Sequence, residues 1–217
     1  MTIRVFLADD HAVVRDGLRF LLESQPDIRV IGDAGDGRAA VRLVTQLCHD
    51  VALMDIAMPE LNGIEATGQI RAACPATRVV ILSMHSTAEH IFRALQAGAL
   101  GYLLKESAGA EVVAAVRAAH AGRRYLSQRI IETMPEILAG LTAEPRAKSP
   151  LERLSPRERE ILQLVVEGQS SAAIAATLAL SPKTIETYRS RLMQKLGIGD
   201  LPTLVKFAVE HGLTPGT

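Results

Sequence analysis

Tryptophan is missing from this 217-residue chain, and all aromatic residues together make up only 3% of it. Charge of one sign is missing as well, because 24 basic residues are balanced by 24 acidic ones. A protein that coats nucleic acid or anionic membranes without selectivity needs a large positive balance, so this class is excluded. No apolar run approaches the roughly 20 residues that span a bilayer, and residues 1–10 lack the features of a signal peptide. We therefore expect a cytoplasmic protein without a membrane partner.

Cysteine is also scarce. The only two cysteines, Cys48 and Cys74, each lie within an apolar, helix-like stretch. They provide neither a disulfide framework nor the CxxC spacing of a zinc site. This pattern fits a reducing, cytosolic compartment.

Apolar residues make up 48% of the chain and charged residues 22%, values that are ordinary for a soluble globular protein. Such a composition excludes disorder for most of the chain. At roughly 100–200 residues per domain, the chain is long for one domain and long enough for two.

Residues 2–122 alternate short apolar runs with longer amphipathic stretches. Each run is apolar on both faces and is followed by polar residues, glycine or proline, a pattern typical of buried parallel strands. Five such strands alternating with five helices predict an α/β fold with a doubly wound five-stranded parallel sheet. Ligands of such sheets bind at the carboxyl ends of the strands. The runs lie at 3–8, 30–32, 51–54, 79–82 and 101–104.

The pattern changes in the second half of the chain. Residues from about 127 to 141 look helical, and 142–150 have the Pro, Ser and Ala mixture of a linker. Four helical patterns follow, and Ser155 with Glu158 forms a predicted capping box at the start of the first. We therefore predict a first domain over 1–122, a helix and linker over 123–150, and a small all-α domain over 151–217.

Polar side chains stand at the ends of several predicted strands: Asp9 and Asp10 after the first, Asp55 after the third, Ser83 after the fourth and Lys105 after the fifth. Three carboxylates at one edge repel one another unless a cation lies among them, and an all-oxygen site suits Mg²⁺. A lysine and a hydroxyl are what a phosphoryl group on a carboxylate needs beside it. A single Asp at a strand end is more often a cap or turn residue, but the whole set is a much rarer coincidence.

Because of these strand-end residues, residues 2–122 resemble a receiver domain of two-component signalling. The resemblance implies that Asp55 accepts a phosphoryl group from a partner histidine kinase. The matching stretches are Asp9-Asp10, Asp55 with Met58-Pro59 and Asn62-Gly63, residues 82–85, and residues 97–105.

The resemblance also implies roles around the acceptor. Mg²⁺ would be bound by Asp9, Asp10, Asp55 and the backbone carbonyl of Ala57. Ser83 and Lys105 would contact the phosphoryl group, and Tyr102 would be the aromatic switch residue whose ring reorients. One departure is Glu106, which stands where many receivers have a proline and leaves the geometry of that peptide bond open.

The second domain is similar to the LuxR-type helix-turn-helix over about residues 151–215. With the receiver, it resembles the NarL/FixJ class of transcriptional response regulators. The implied function is sequence-specific DNA binding and transcription control by aspartate phosphorylation, without enzymatic turnover. The matching stretches are 154–160, 168–170, 174–175, 180–188 and 192–197.

The helix that begins after Ser181 has an apolar and a polar face. Its N-terminal end offers backbone N–H groups and short hydroxyl side chains, which suit contacts to phosphates and base edges. Glu186 stands where several relatives have Lys, so the base preference cannot be copied from the family. The predicted DNA contacts are Lys183, Thr184, Glu186, Thr187, Arg189, Ser190 and Arg191.

Residues 151–217 carry eight basic and seven acidic residues, a net charge of only +1. A pI above about 9 is the usual mark of a DNA-binding domain, so one copy should bind DNA weakly. Two copies on paired half-sites would double the contacts, and we expect a homodimer on activation. The resemblance adds that phosphorylation commonly exposes a dimer surface or releases a packed helix-turn-helix domain.

Two alternatives stay open. A phosphatase of the haloacid dehalogenase type also uses an Asp at a strand end with Mg²⁺. Such an enzyme needs a second acid two residues after the nucleophile, where this chain has Ala57. The other alternative is an adaptor whose helical domain binds protein instead of DNA.

Overall fold

A parallel sheet of six strands forms the centre of the first domain, with the strand order β2-β1-β3-β4-β5-β6. The structure is a computed structural model that describes residues 2–133, 149–211 and 213. Five strands were predicted, and the sixth is a two-residue edge strand, too short to give a periodic signal. The strands are β1 (Ile3–Ala8), β2 (Ile28–Ala34), β3 (Val51–Asp55), β4 (Arg78–Ser83), β5 (Gly101–Leu104) and β6 (Tyr125–Leu126).

Helices cover both faces of this sheet, as the doubly wound fold requires. The core on one face contains side chains of α2, α3 and α4, and the core on the other contains side chains of α1 and α5. All five residues of β3 are buried, because this central strand is covered on both sides. The helices are α1 (Ala12–Glu23), α2 (Gly37–Leu47), α3 (Gly63–Ala73), α4 (Ala88–Gln96) and α5 (Ala108–His120).

The predicted helix over about 127–141 is present as α6 (Gln128–Thr133) in its first part. Its remainder and residues 142–148 of the predicted linker lie outside the described residues.

Four α-helices and a short 3-10 helix (Pro150–Arg153) form the second domain around their own core in the described part of the chain. The predicted capping box at the first helix is confirmed, since the Ser155 side chain accepts from the backbone N–H of Glu158 and the Glu158 carboxylate accepts from that of Ser155. The helices are α7 (Pro156–Val166), α8 (Ser171–Leu178), α9 (Pro182–Leu196) and α10 (Leu201–Glu210). Within the described part of the chain, no helix is both long and apolar enough to cross a bilayer.

The two cysteines form a disulfide, with their Cα atoms 5.6 Å apart. The expectation that no disulfide is available was therefore wrong. Cys48 directly follows α2 and Cys74 directly follows α3, and these helices pack side by side on one face of the sheet. A sequence separation of 26 residues hides this proximity, which arises only when both helices are laid on the sheet.

Helix α7 packs against the loop between β3 and α3. Buried Gln163 donates from Nε2 to the carbonyl oxygen of Met58 at 2.8 Å, and its Oε1 accepts from the backbone N–H of Asn62 at 2.7 Å. Glu167 accepts from the backbone N–H of Glu60 at 3.0 Å. The second domain therefore touches the loop that immediately follows Asp55.

Ion pairs extend this contact between the domains. Arg38 at the start of α2 donates to Glu160 at 2.8 Å. Arg159 donates from Nη2 to Glu65 of α3 at 3.2 Å and forms a second hydrogen bond to the same carboxylate through Nε. These pairs join residues about a hundred positions apart in sequence, so no local pattern indicates them.

Candidate phosphorylation site and nucleic-acid interface

Three of the predicted site residues meet at the carboxyl edge of the sheet. Lys105 Nζ lies 2.8 Å from Asp55 Oδ2 and 2.8 Å from Asp9 Oδ2. Asp9 and Asp55 are almost completely buried, at 1% and 2% exposure, while Asp10 is partly exposed. Strands β1 and β3 are direct neighbours in register, so the residues that end them lie side by side.

The environment disfavours a charge on Asp55. Burial raises the pKa of its carboxyl group to about 6, and the attraction of Lys105 only partly offsets this effect. Repulsion from Asp9 and Asp10 is a smaller part of the same increase. For Lys105, burial disfavours the ammonium, but the attraction and hydrogen bonds of Asp55 and Asp9 outweigh it and raise its pKa. Lys105 is therefore protonated and ready to neutralise added negative charge.

The acidic residues fit a hard cation. Asp9, Asp10, His11 and Asp55 each place one ligand atom so that all these atoms lie within 4.8 Å of one another. Asp10 Oδ1 is shielded from water and accepts no well-aligned hydrogen bond, although His11 Nδ1 lies 2.7 Å away. Carboxylate oxygens in this number suit Mg²⁺. His11 was not predicted for this cluster, although its position directly after Asp10 could have suggested it.

The start of α3 holds the end of β3 in place. The side chain of Asn62 accepts from the backbone N–H groups of Ile64 and Glu65, which caps the helix. At Gly63 a Cβ atom would lie 1.9 Å from the carbonyl oxygen of Asp55, so only glycine permits this close approach. Ala57 lies in the short loop between Asp55 and this cap.

Ser83 and Tyr102 both contact the segment after β4. Ser83 is buried, and its Oγ accepts from the backbone N–H of His85 at 2.9 Å. Tyr102 is buried as well, and its hydroxyl donates to the carbonyl oxygen of His85 at 2.7 Å. Burial raises the pKa of Tyr102, which keeps it a neutral donor. The two residues are thus brought to one segment, with the Tyr102 ring turned into the protein.

A pair of stacked histidines connects this segment to the second domain. This contact was not predicted from the sequence. The rings of His85 and His90 stack with centroids 4.6 Å apart. His90 Nε2 lies 3.1 Å from the carbonyl oxygen of His211, directly after α10. Burial lowers the pKa of His90 to about 4, and it lowers the pKa of His85 too, so both rings are neutral near pH 7. A neutral His90 donates to His211 only in the tautomer with its proton on Nε2.

The predicted DNA-contacting residues lie on α9, whose apolar face is packed in the second domain. Ile185 and Leu192 are buried, whereas most of the predicted set is exposed. Arg189 differs, since it is half-buried and donates to Ser171 Oγ at the start of α8 at 3.1 Å. The exposed residues of the set are Lys183, Glu186, Thr187, Ser190 and Arg191, and Thr184 is partly buried.

Two family models match this chain. Residues 5–117 match the response regulator receiver domain. Residues 152–208 match the bacterial regulatory proteins of the luxR family. The two matches coincide with the α/β domain and the helical domain.

Curated relatives are similar to this chain along nearly their whole length. The transcriptional regulatory protein MctR of Rhizobium johnstonii is 38% identical over 211 residues, which cover 97% of this chain and 95% of MctR. LiaR of Bacillus subtilis is 40% identical over 211 residues, with 97% and 99% covered. A solved structure of two RcsB dimers bound to two parallel DNAs is 26% identical, covers 96% of this chain and 98% of RcsB, and has a TM-score of 0.58.

A receiver match over half the chain, a LuxR-type match over the helical domain and full-length relatives near 40% identity agree with the site geometry. This chain belongs to the two-component response regulators of the NarL/FixJ class, which join a receiver domain to a LuxR-type DNA-binding domain.

Proposed function

We propose that Asp55 accepts a phosphoryl group from a histidine kinase and that this event controls sequence-specific DNA binding by α9. The observation that carries the proposal is the buried carboxylate of Asp55 held 2.8 Å from Lys105 at the carboxyl edge of the sheet. A carboxylate oxygen of Asp55 attacks the phosphorus, the bond from phosphorus to the donor nitrogen breaks, and that nitrogen keeps the electron pair. Lys105 then pairs with the phosphoryl oxygens.

Mg²⁺ is the proposed cofactor, and Asp9, Asp10, Asp55 and the Ala57 carbonyl are its proposed ligands. When bound, it neutralises phosphoryl oxygens and reduces the repulsion among the carboxylates. His11 lies next to these residues and is a further candidate ligand. The chain's own contribution is to hold the carboxylates together before any phosphoryl group arrives.

Communication between the domains would follow two routes. The first is the β3–α3 loop, since Met58, Glu60 and Asn62 contact α7 directly. The second begins when Ser83 turns toward the phosphoryl group and leaves the N–H of His85. Movement of His85 would disturb its stacking on His90 and the contact of His90 with His211.

Helix α9 is the proposed DNA-contacting element, with paired half-sites occupied by a homodimer. Its polar face is exposed, and RcsB, the solved relative, is a dimer on DNA. The net charge of +1 over residues 151–217 supports a dimer, because one copy offers few phosphate contacts.

The same proposal covers the remaining features. The domain limits are 1–122, 123–150 and 151–217, and the protein acts in the cytoplasm, where a regulator meets both kinase and DNA. The family is one of transcriptional regulators, and we infer no turnover of external substrates, because Ala57 stands where a phosphatase needs its second acid.

Labelling with a small phosphodonor and Mg²⁺, followed by intact mass measurement, tests the acceptor. We expect one added phosphoryl group on the parent and none on Asp55→Asn. Asp10→Ala should label more slowly and require more Mg²⁺, because it keeps the acceptor but weakens the cation site. Equal labelling of Asp55→Asn and the parent would refute the assignment.

A further inference from the structure

We propose that Cys48 and Cys74 are a reversible redox site that sets how firmly α2 and α3 present their docking surface to the second domain. The site is separate from the phosphorylation site, since both cysteines follow the C-terminal ends of their helices. The acidic cluster lies at the opposite, carboxyl edge of the sheet, where α2 and α3 begin.

The disulfide is accessible from one side only. Cys48 is exposed and adopts a left-handed backbone conformation, with φ of 42°, as it leaves α2. Cys74 is buried, at 3% exposure. The Cα separation of 5.6 Å lies in the usual range for a disulfide, so no backbone movement is needed to form the bond. An attacking thiol therefore reaches the sulfur of Cys48 first.

A dithiol reductant completes the exchange in two steps. Its first thiolate attacks Cys48 Sγ, the bond between Cys48 and Cys74 breaks, and Cys74 Sγ leaves with the electron pair and takes up a proton. The second thiolate of the reductant then attacks the reductant sulfur that is bonded to Cys48. A disulfide forms within the reductant, and Cys48 is released and takes up a proton. Two electrons and two protons pass from the reductant to the protein, and the reductant becomes a disulfide.

The reduced state is also accommodated by the fold. The carbonyl oxygens of Val44 and Thr45, in the last turn of α2, lie 4.0 and 3.8 Å from Cys74 Sγ. Thr45 O also lies 3.9 Å from Cys48 Sγ. These carbonyl groups can accept from the thiols, so reduction leaves no buried thiol without an acceptor. Both redox states can therefore be folded states.

The same two helices carry the docking surface. At their N-terminal ends, Gly37 approaches the carbonyl of Leu61 so closely that a Cβ atom would lie 1.8 Å from it. Arg38 and Asn62, at the same ends, bind Glu160 and Gln163 of α7. The helix pair is thus held by close backbone contact at one end and by the disulfide at the other. Reduction removes one of these two constraints and loosens the surface on which α7 lies.

Thiol counting on the full-length protein tests the redox reaction. The protein is equilibrated with mixtures of reduced and oxidised dithiothreitol, then quenched with N-ethylmaleimide in a denaturant so that buried Cys74 also reacts, and weighed intact. We expect no added label in the oxidised mixtures, two labels in the reduced ones, and a single transition between them. Two labels in every mixture, or none in any, would overturn the proposal.

Hydrogen exchange tests the structural consequence without phosphodonor or DNA, so its failure is distinguishable from failure of the proposed function. On reduction, amides of the last turns of α2 and α3 should exchange about tenfold faster or more, and those of α7 should also accelerate. Helices α1 and α9 serve as internal controls and should not change. The double variant Cys48→Ser, Cys74→Ser should match the reduced protein in both mixtures. Unchanged exchange in α7 of the parent would overturn the link to the second domain.

Discussion

Asp55 is a carboxyl group whose surroundings oppose its ionised form. It is 2% exposed and stands beside two further acids, whose repulsion is countered by Lys105. Because the negative charge of these carboxylates is not fully neutralised, the site favours the binding of a cation. We therefore expect the free energy of unfolding to depend on pH through the ionisation of Asp55.

We predict that Asp55→Asn is more stable than the parent near neutral pH. The folded-state pKa of Asp55 is raised from 3.8 to about 6, so ionisation in the folded state costs free energy as pH rises through this window. The variant should therefore gain about 1–3 kcal/mol in unfolding free energy at about pH 7.5 and nothing at about pH 4. Urea titrations at both pH values measure the difference.

Asp50→Asn is the matched control of opposite sign. Hydrogen bonds from Arg4 lower the pKa of Asp50, so this carboxylate contributes stability above its unfolded pKa that is lost as pH falls. Asp50→Asn should be less stable than the parent at about pH 7.5. If both variants changed in the same direction, the burial argument for Asp55 would be wrong.

On α9, we predict that Lys183 contacts phosphate and Thr187 contacts bases. Both are exposed on the polar face. Lys183→Ala should weaken binding to all DNA alike and reduce the salt slope by about one unit, whereas Thr187→Ala should change sequence preference more than affinity. Gel-shift titrations at several salt concentrations measure both effects.

Lys206→Ala is the control for this pair, because Lys206 is an exposed lysine on α10 that pairs with Glu210 of the same helix. Its removal should leave DNA binding unchanged. Arg189→Ala needs a separate interpretation, since Arg189 also joins α9 to Ser171 of α8. Full DNA binding by Lys183→Ala and Thr187→Ala together would place the contact elsewhere.

At the scale of elements, α7 makes one of the two contacts between the domains described above. Its inward face bears Gln163, which is fully buried and uses both ends of its amide on the β3–α3 loop. A buried amide that serves two backbone groups is costly to remove, because both groups then lose their partner.

We predict that Gln163→Ala loosens the contact of α7 with the loop. The carbonyl of Met58 and the N–H of Asn62 would be left unpaired, at about 1–3 kcal/mol each. Hydrogen exchange in α7 and residues 58–62 should accelerate. Gln46→Ala, at an exposed position of α2, should have no effect. Equal exchange in both variants would show that this contact does not hold the domains.

The contact between His90 of α4 and the carbonyl of His211 after α10 is sensitive to acid. The folded-state pKa of His90 is lowered from 6.5 to about 4, so the unfolded state binds the proton more readily and stability falls as pH drops through this window. His90→Gln should lose less unfolding free energy than the parent between about pH 6.5 and 4. Denaturant titrations across this range measure it, and identical pH dependence of both proteins would contradict the assignment.

At the scale of the whole molecule, the exposed polar face of α9 and the contact through α7 suggest that phosphorylation acts on assembly. Most of the predicted DNA contacts are already exposed while the domains are packed together. Because the net charge of the second domain is only +1, we expect the affinity for DNA to depend on bringing two copies together.

We therefore predict that beryllofluoride, a phosphoryl mimic, raises both the dimer fraction and the DNA affinity of the full-length protein. Residues 150–217 alone should bind DNA to the same extent with and without the mimic. Light scattering and gel-shift assays on both proteins measure these effects. Unchanged mass and unchanged affinity of the full-length chain would refute the model.

The sequence by itself indicated several features that have a local pattern. Apolar runs indicated the five long strands, the Ser155 and Glu158 pair indicated the start of α7, and the strand-end positions of Asp9, Asp55 and Lys105 indicated their meeting at one edge. These inferences succeeded because helix caps, strand periodicity and the parallel sheet edge follow from short segments and general topology.

Only the tertiary structure decided the features that join distant segments. The bond between Cys48 and Cys74, the contact of Gln163 with the β3–α3 loop and the contact of His90 with the carbonyl of His211 depend on how helices pack. No local pattern encodes them, because the relative placement of two helices is set by the whole core beneath them. The meeting of Asp9, Asp55 and Lys105 was therefore readable from short segments, whereas the contact of their domain with the second domain emerged only from the folded chain.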